Sequence, residues 1–529
     1  MEMAELSFNL LLPCVSLVVS VFFLLQLFFR VRQKGKSENP TLLPVLGILF
    51  PLIKNRYRLH DWITDLLSAS PSNTFKYQRP GGIRSYITAN PANVEYVLKT
   101  HFENYRKGER LNIILHDFLG RGIFNSNGEL WKMQRKVASY EFNTKSFRNF
   151  VVETVQSEIL ERLIPVLSKA CNEGFSIDLQ DVLQRFTFDN ICKVAFGVDP
   201  ACLEPSLPQL PFARVFGDAT ELSFGRFLYG VPFLWRIKRA LNLGSERRLR
   251  RAIRAVDDFA MNLIRSRSKE IAEIQLKGSD SPRNDLLSRL MAATNEFETE
   301  TVEDEDKYKS DAFLRDMIVN FMLAGRDSPS TSLTWFFWVL SSHPQVESAI
   351  RHEILQILSK RKGEMEAEPK GGFNISFTYE EFREMKYLHA AVCESLRLYP
   401  PVPLDSRSAI QDDILPDGSF VGKGWGVDYS IYAMGRMESI WGADCLEFKP
   451  ERWFVGGEFV RENPYKFTVF NGGPRICLGK EMAFIQMKSI VASIIHKFSL
   501  EVDKSFVPTY TLDFNMHMKG EMLVTVRTR

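Results

Sequence analysis

From about residue 91 onward, apolar side chains recur at the three-to-four-residue interval of a helix, and β-type runs are few until the last quarter of the chain. Earlier, residues 74–88 (TFKYQRPGGIRSYIT) hold two β-rich runs around Pro80, Gly81 and Gly82, which predicts a hairpin. The closing MLVTVRT reads as a terminal strand. The longest apolar helical pattern runs from Asp311 to Ser342 and is stopped by His343 and Pro344. Its middle reads AGRDSP, and there the helix should be distorted, as a tolerated kink or, on the functional reading, an opened groove. Pro329 has no N–H to give and crowds the carbonyl of Gly325. The pattern as a whole predicts a mainly α fold with small β-sheets.

The N-terminus has a different character. Phe8 to Phe29 is 22 residues without a charge, long enough to span a bilayer. Glu2 and Glu5 precede it, and Arg30, Arg32, Lys34 and Lys36 follow it. A cleaved signal peptide would have a positive leader and a shorter apolar core. The charge asymmetry instead predicts a retained anchor over residues 1–30, with everything after it on the cytosolic side, in the endoplasmic reticulum membrane. Pro40, Pro44 and Gly47 make residues 31–47 a stiff basic linker, and residues 48–529 form the body.

Hydrophobic content of 45% and charged content of 25% suit a globular body with a full core. The net charge of +3 over 529 residues leaves no footprint for nucleic acid. Seven scattered cysteines without a Cys-x-x-Cys pair argue against a disulfide framework or structural zinc. One local concentration of charge exists: eight basic residues lie between Arg236 and Arg254, interleaved with Leu and Ile. A solvated helix face is the plainer reading, and contact with anionic lipid headgroups the sharper one.

The candidate chemistry concentrates in Phe470 to Gly479, FNGGPRICLG. Gly472 and Gly473 allow a tight turn and a close backbone approach. Arg475 places a cation beside Cys477, which favours thiolate, and the apolar run after Gly479 predicts a helix whose N-terminus favours it further. The stretch describes an ionised, rigidly held sulfur, a metal ligand or a nucleophile, whereas a lone cysteine would more simply be a small buried side chain.

This segment resembles the haem-binding signature of the cytochrome P-450 superfamily, matched by Phe470, Gly472, Gly473, Arg475, Cys477 and Gly479. The resemblance implies a cytochrome P-450 fold, preceded here by the N-terminal transmembrane helix. It also implies haem b with Cys477 as axial iron ligand, and electrons from NADPH delivered by an NADPH-cytochrome P-450 reductase. Trp131 and Arg135 stand at i, i+4 on one helix face and resemble the family's propionate donors, although Trp235 and Arg239 match the same spacing. Arg407 is expected to reach a propionate. Asp327 and Ser328 resemble the family's acid–alcohol pair, expected to relay protons to bound dioxygen, with Pro329 departing from the second threonine. Glu394 and Arg397, with Arg452, resemble a buried three-charge network that is structural rather than catalytic.

The resemblance covers nearly all of residues 40–529. Segments such as ENYRKGER and PDGSFVGKGWGV are similar to a plant branch of terminal-carbon hydroxylases. That branch implies a lipid substrate, a fatty acid first, with jasmonoyl-isoleucine or a sterol side chain as alternatives. A peroxide-rearranging haem-thiolate enzyme is a more distant one. Expected pocket segments are residues 105–125, 203–235, 321–328, 402–405 and 512–518.

Overall fold

A computed structural model describes residues 47–79, 84–142, 144–207, 211–229, 233–276, 285–291, 310–364, 376–503 and 505–529. The expected span at 8–29 lies outside these residues, as do most of the linker and the turn at 80–83. Among the described residues no helix is long and apolar enough to cross a membrane. The architecture is mainly helical with small sheets, as the patterning predicts.

The hairpin forms: Thr74–Gln78 pairs antiparallel with Arg84–Thr88, in the register Thr74 to Thr88. It is the edge of a five-stranded sheet. Gly426–Ser430 lies parallel to its second strand, Leu404–Ala409 follows antiparallel, and Tyr105–Arg106 closes the far edge. The terminal strand, Leu523–Thr528, sits in the middle of a three-stranded sheet between Phe498–Val502 and Ile177–Asp178.

Helix boundaries follow local chemistry. Asp178 accepts the Gln180 N–H and starts Leu179–Phe196, which stops at Gly197, φ +61°. Thr378 and Glu381 form a reciprocal capping box ahead of Tyr379–Glu384.

The central helix is Ser310–Ser341. Its buried apolar residues up to Leu323 belong to one core cluster, with Phe188, Phe216 and Val256. Those from Leu333 onward belong to another, with Leu388, Ile490 and Val491. The small and polar stretch 324–332 therefore lies at the seam between two cores. That placement leaves one helix with two packing partners and one stretch free of apolar duty.

The three-charge network forms as expected. Arg397 Nε and Nη2 each donate to Glu394 at 2.8 Å, and Arg452 Nε at 3.1 Å. Trp453 Nε1 and the Lys449 N–H complete the Glu394 carboxylate, which has no accessible surface. Both carboxylate oxygens are therefore fully supplied with donors, as a buried carboxylate requires. The six described cysteines are all free thiols.

Candidate active site

The loop 470–479 is clamped before it presents its sulfur. The Cys477 N–H donates to the Phe470 carbonyl at 2.8 Å. Gly473 takes φ +62°, and a Cβ there would overlap the Leu98 carbonyl oxygen, while one on Gly472 would run into the Tyr465 ring. The glycine pair is thus required by contact with the turn at 96–100 and with Tyr465. Gly479 is the N-cap of Lys480–Lys497, the helix expected after the loop.

Cys477 is exposed. At the same time burial pushes its thiol pKa up, against the Gly479 N–H, Arg135 and Lys480, which pull it down. Accessible surface combined with desolvation is what a side chain facing an enclosed hollow experiences. Phe470 packs beside it against Phe484, ring centroids 5.1 Å apart, with Lys480 Nζ 5.4 Å over its own ring.

Arg475 makes its contacts on another segment. Its Nη2 donates to the Ser126 carbonyl at 2.8 Å and to Asn127 Oδ1 at 3.2 Å, and its guanidinium lies 4.4 Å over the Trp131 ring. The cations that bear on the thiol are Arg135 and Lys480. Carbonyl and amide oxygens give a guanidinium hydrogen bonds that a thiol does not. Trp131 and Arg135 sit on Gly128–Phe142, Trp131 buried and Arg135 half-buried. The rival pair is excluded: Trp235 lies under Arg226 at 4.5 Å, and Arg239 is held by Asp117 at 2.6 Å.

Arg407 stands on Leu404–Ala409 with only 1% of its surface accessible. Its Nη1 donates to Asp405 Oδ2 and to the Ser406 carbonyl, both at 2.8 Å. Its Nε and Nη2 are buried without a partner. Two residues absent from the sequence expectation complete the group. Lys107 Nζ donates to Asp405 Oδ1 at 2.8 Å, and Tyr429 OH to Asp405 Oδ2 at 2.7 Å. Burial, and then Arg407, lowers Lys107 to about 8 and Arg475 to about 9. Burial would raise the Asp405 carboxyl, but Arg407 and Lys107 outweigh it and hold it well below the usual range. Lys107, Arg407 and Arg475 therefore share one carboxylate, and the cluster has an excess of positive charge. Partnerless buried N–H groups in such a cluster fit the carboxylates of a haem edge, and the exposed thiol of Cys477 fits its iron. Asp405 was legible in principle, being two residues before Arg407 on one strand face. Lys107 carried no such signal.

The second group lies on the central helix. The helix continues through Pro329 instead of opening as a broken groove. Thr187 Oγ1, from the neighbouring Leu179–Phe196 helix, donates to the Arg326 carbonyl at 2.7 Å, and Ser330 Oγ to the same oxygen at 2.9 Å. Gly325 serves close packing, since a Cβ there would overlap the Ile191 side chain. Within this buried stretch Ala324 and Ser328, one turn apart, keep accessible surface. Asp327 is buried, with Arg326 Nε 3.6 Å away. Ser328 Oγ donates to Asn515 Oδ1 at 3.4 Å, and Thr331 Oγ1 bonds His517 Nδ1 at 2.9 Å. Two of the expected pocket segments meet here: Phe514 packs edge-on against Phe224 at 5.2 Å and Phe227 at 6.3 Å.

The structure thus gathers Cys477, Arg135, Arg475, Trp131, Phe470 and Arg407 into one electrostatically linked group, and Asp327 and Ser328 into another. Compared with known proteins, the sequence matches the family described as Cytochrome P450 over residues 38–523. It is 44% identical to Cytochrome P450 94A2 of Vicia sativa over 95% of this chain and 96% of that protein. Identity to Cytochrome P450 86B1 of Arabidopsis thaliana is 43%, over 97% and 90%. To Cytochrome P450 94C1 of the same plant it is 46%, over 85% and 84%.

Proposed function

The chain belongs to the cytochrome P450 family, and we propose that it hydroxylates the terminal carbon of a lipid chain, a fatty acid in the first instance. It is a haem-thiolate monooxygenase, an oxidoreductase that uses haem b and takes electrons from NADPH through a reductase. Cys477 would supply the thiolate ligand of the haem iron, and Arg407, Lys107, Arg475, Arg135 and Trp131 would hold the haem carboxylates. The observation that carries this assignment is the pair of partnerless buried nitrogens on Arg407, in a cluster of excess positive charge that also reaches the exposed Cys477. Bound haem supplies dioxygen activation, which thiolate ligation favours. Asp327 and Ser328, adjacent on the central helix, are the acid and the alcohol that would pass a proton toward bound dioxygen. Phe224, Phe227 and Phe514 line an apolar route that excludes water and discriminates poorly among similar lipid chains.

Residues 1–30 anchor the body, 48–529, to the cytosolic face of the endoplasmic reticulum through the linker 31–47. A surface contact supports that placement: Leu234, Ile237, Leu241 and Leu243 are exposed among the exposed Arg236, Lys238 and Arg247. Apolar side chains ringed by cations suit an anionic membrane surface.

An optical titration of the membrane-bound protein with a fatty acid, jasmonoyl-isoleucine and a sterol tests the reading. The fatty acid is expected to shift the Soret band to shorter wavelength. A shift with one of the others alone reassigns the substrate. Cys477→Ala is expected to abolish the thiolate-type Soret band, and its retention would overturn the ligand assignment.

A further inference from the structure

The loop between Glu109–Leu119 and Gly128–Phe142 is tied to the central helix by two buried side chains one turn apart. Asp316 Oδ2 accepts the Arg121 N–H at 2.7 Å, and Asn320 Oδ1 accepts the Phe124 N–H at 3.1 Å. Asn320 Nδ2 in turn donates to the Leu119 carbonyl at 3.0 Å. The approach is close enough to require glycine on the loop. A Cβ on Gly120 would overlap the Asp316 carboxylate, and one on Gly122 the Asn320 amide.

One side chain of this loop escapes the burial. Gly122, Ile123, Asn125 and Ser126 are buried, yet Phe124 between them is 40% exposed. Its backbone contacts say where the ring stands. On one side Asn320 heads a row on one face of the central helix, followed at four-residue steps by Ala324 and Ser328, which keep accessible surface. On the other side the carbonyls of Ile123 and Ser126, which flank Phe124, accept from Arg475 at 3.4 and 2.8 Å. Phe124 therefore stands where the central helix meets the cluster of Arg475 and Arg407. Phe514, with Phe224 and Phe227, lies at the Ser328 end of the same row, beside Asn515. The two ends are about 12 Å apart at the rise of an α-helix. A lipid chain laid along the row has an aromatic group at each end.

Resting on the terminal-carbon reading above, we propose that Phe124 is a specificity-determining residue whose ring ends the apolar route and holds the last carbon of the lipid at the reacting position, with Asn320 positioning it. A primary C–H bond is stronger than a secondary one, so terminal hydroxylation runs against intrinsic reactivity and has to come from placement. A wall beyond the reacting position supplies that placement. It admits a terminal methyl and excludes an in-chain carbon, which needs room for at least one more carbon past it. Asn320 fixes the Phe124 amide and Arg475 the carbonyls on either side, so the ring cannot swing away without breaking hydrogen bonds.

The test uses the full-length, haem-loaded protein with its reductase as wild type, Phe124→Leu, Phe124→Ala and Asn320→Ala. The substrate is dodecanoic acid, or whichever of the fatty acid, jasmonoyl-isoleucine and sterol shifts the Soret band, and the readout is the ratio of terminal to in-chain hydroxylated product. The ratio should fall from wild type through Phe124→Leu to Phe124→Ala, by roughly tenfold at the last, the discrimination that about one carbon is worth in an apolar pocket. Asn320→Ala should move the ratio the same way with the ring still present, which a loss of stability alone does not do. The thiolate Soret band should persist throughout. A ratio unchanged in Phe124→Ala overturns the inference while the terminal-carbon reading stands. A wild type that makes no terminal product from any of the three substrates overturns that reading, and the inference with it. If Asn320→Ala does not fold, the Phe124 variants decide, because an exposed ring can be shortened without opening the core.

Discussion

Arg407 shows how much a single side chain's surroundings decide. Its guanidinium is buried, one nitrogen is held by Asp405, and two have no partner among the described residues. A buried N–H without a partner costs about 1–3 kcal/mol, so the site is poised for an anionic ligand that supplies one. Arg407→Gln removes the charge and keeps a donor. It is expected to lower the haem retained per mole of protein after gel filtration by several-fold, with the thiolate-type spectrum unchanged in the fraction that keeps haem. Full retention would remove Arg407 from the propionate group. Asp513 carries a pH signature at the same scale. Burial raises its pKa, so the folded chain keeps a proton that the unfolded chain loses above pH 4. Stability from this residue therefore falls as pH rises from about 4 to about 7 and is level beyond. The residue scale is also where Arg475 has contacts that chain order does not reveal. The chain order set it two residues from Cys477, but the acceptors on Ser126 and Asn127, some 350 positions away, drew its charge elsewhere.

At the scale of elements, the central helix and the Leu179–Phe196 helix fit together through Gly325. A methyl group there meets Ile191, so Gly325→Ala is expected to destabilise by about 1–3 kcal/mol even though alanine is the better helix former. Ile191→Val should recover part of that loss in a denaturation cycle. Additive effects would mean that the two helices do not meet as described. Hydrophobic spacing alone located this helix and its stop at His343, because a helix buried on all sides is apolar on all sides. The same spacing could not say that Pro329 is accommodated without a break. Nor could it show that the Thr187 hydroxyl, from a helix more than a hundred residues earlier, bonds the Arg326 carbonyl one turn before that proline. The hairpin was legible for the opposite reason, as its strands are sequence neighbours and its turn residues lie between them.

At the scale of the whole molecule, the proposed anchor and the basic, apolar surface at 234–254 would make two separate attachments to one membrane. Without residues 1–30 the protein is expected to remain with anionic vesicles at low salt and to leave them at about 1 M salt, where screening reduces charge attraction to a few ångströms. The full chain should stay bound at both salt levels in a sedimentation assay. A shortened chain that never binds would confine the membrane contact to the anchor. By itself the sequence determined what is local or strongly patterned: the family signature around Cys477, the mainly helical class, the hairpin, the terminal strand and the long central helix. It also held the pair Glu394 and Arg397, whose i, i+3 spacing puts them on one face. Only the tertiary structure set Trp131 under Arg475, gave Arg475 the acceptors on Ser126 and Asn127, joined Lys107 to Asp405, and set Asn515 and His517 against the central helix. The physical reason is range. Backbone propensity and side-chain periodicity act over a few residues and leave their mark in the chain order. The desolvation and charge balance that define a buried site are sums over segments that only the folded chain brings together.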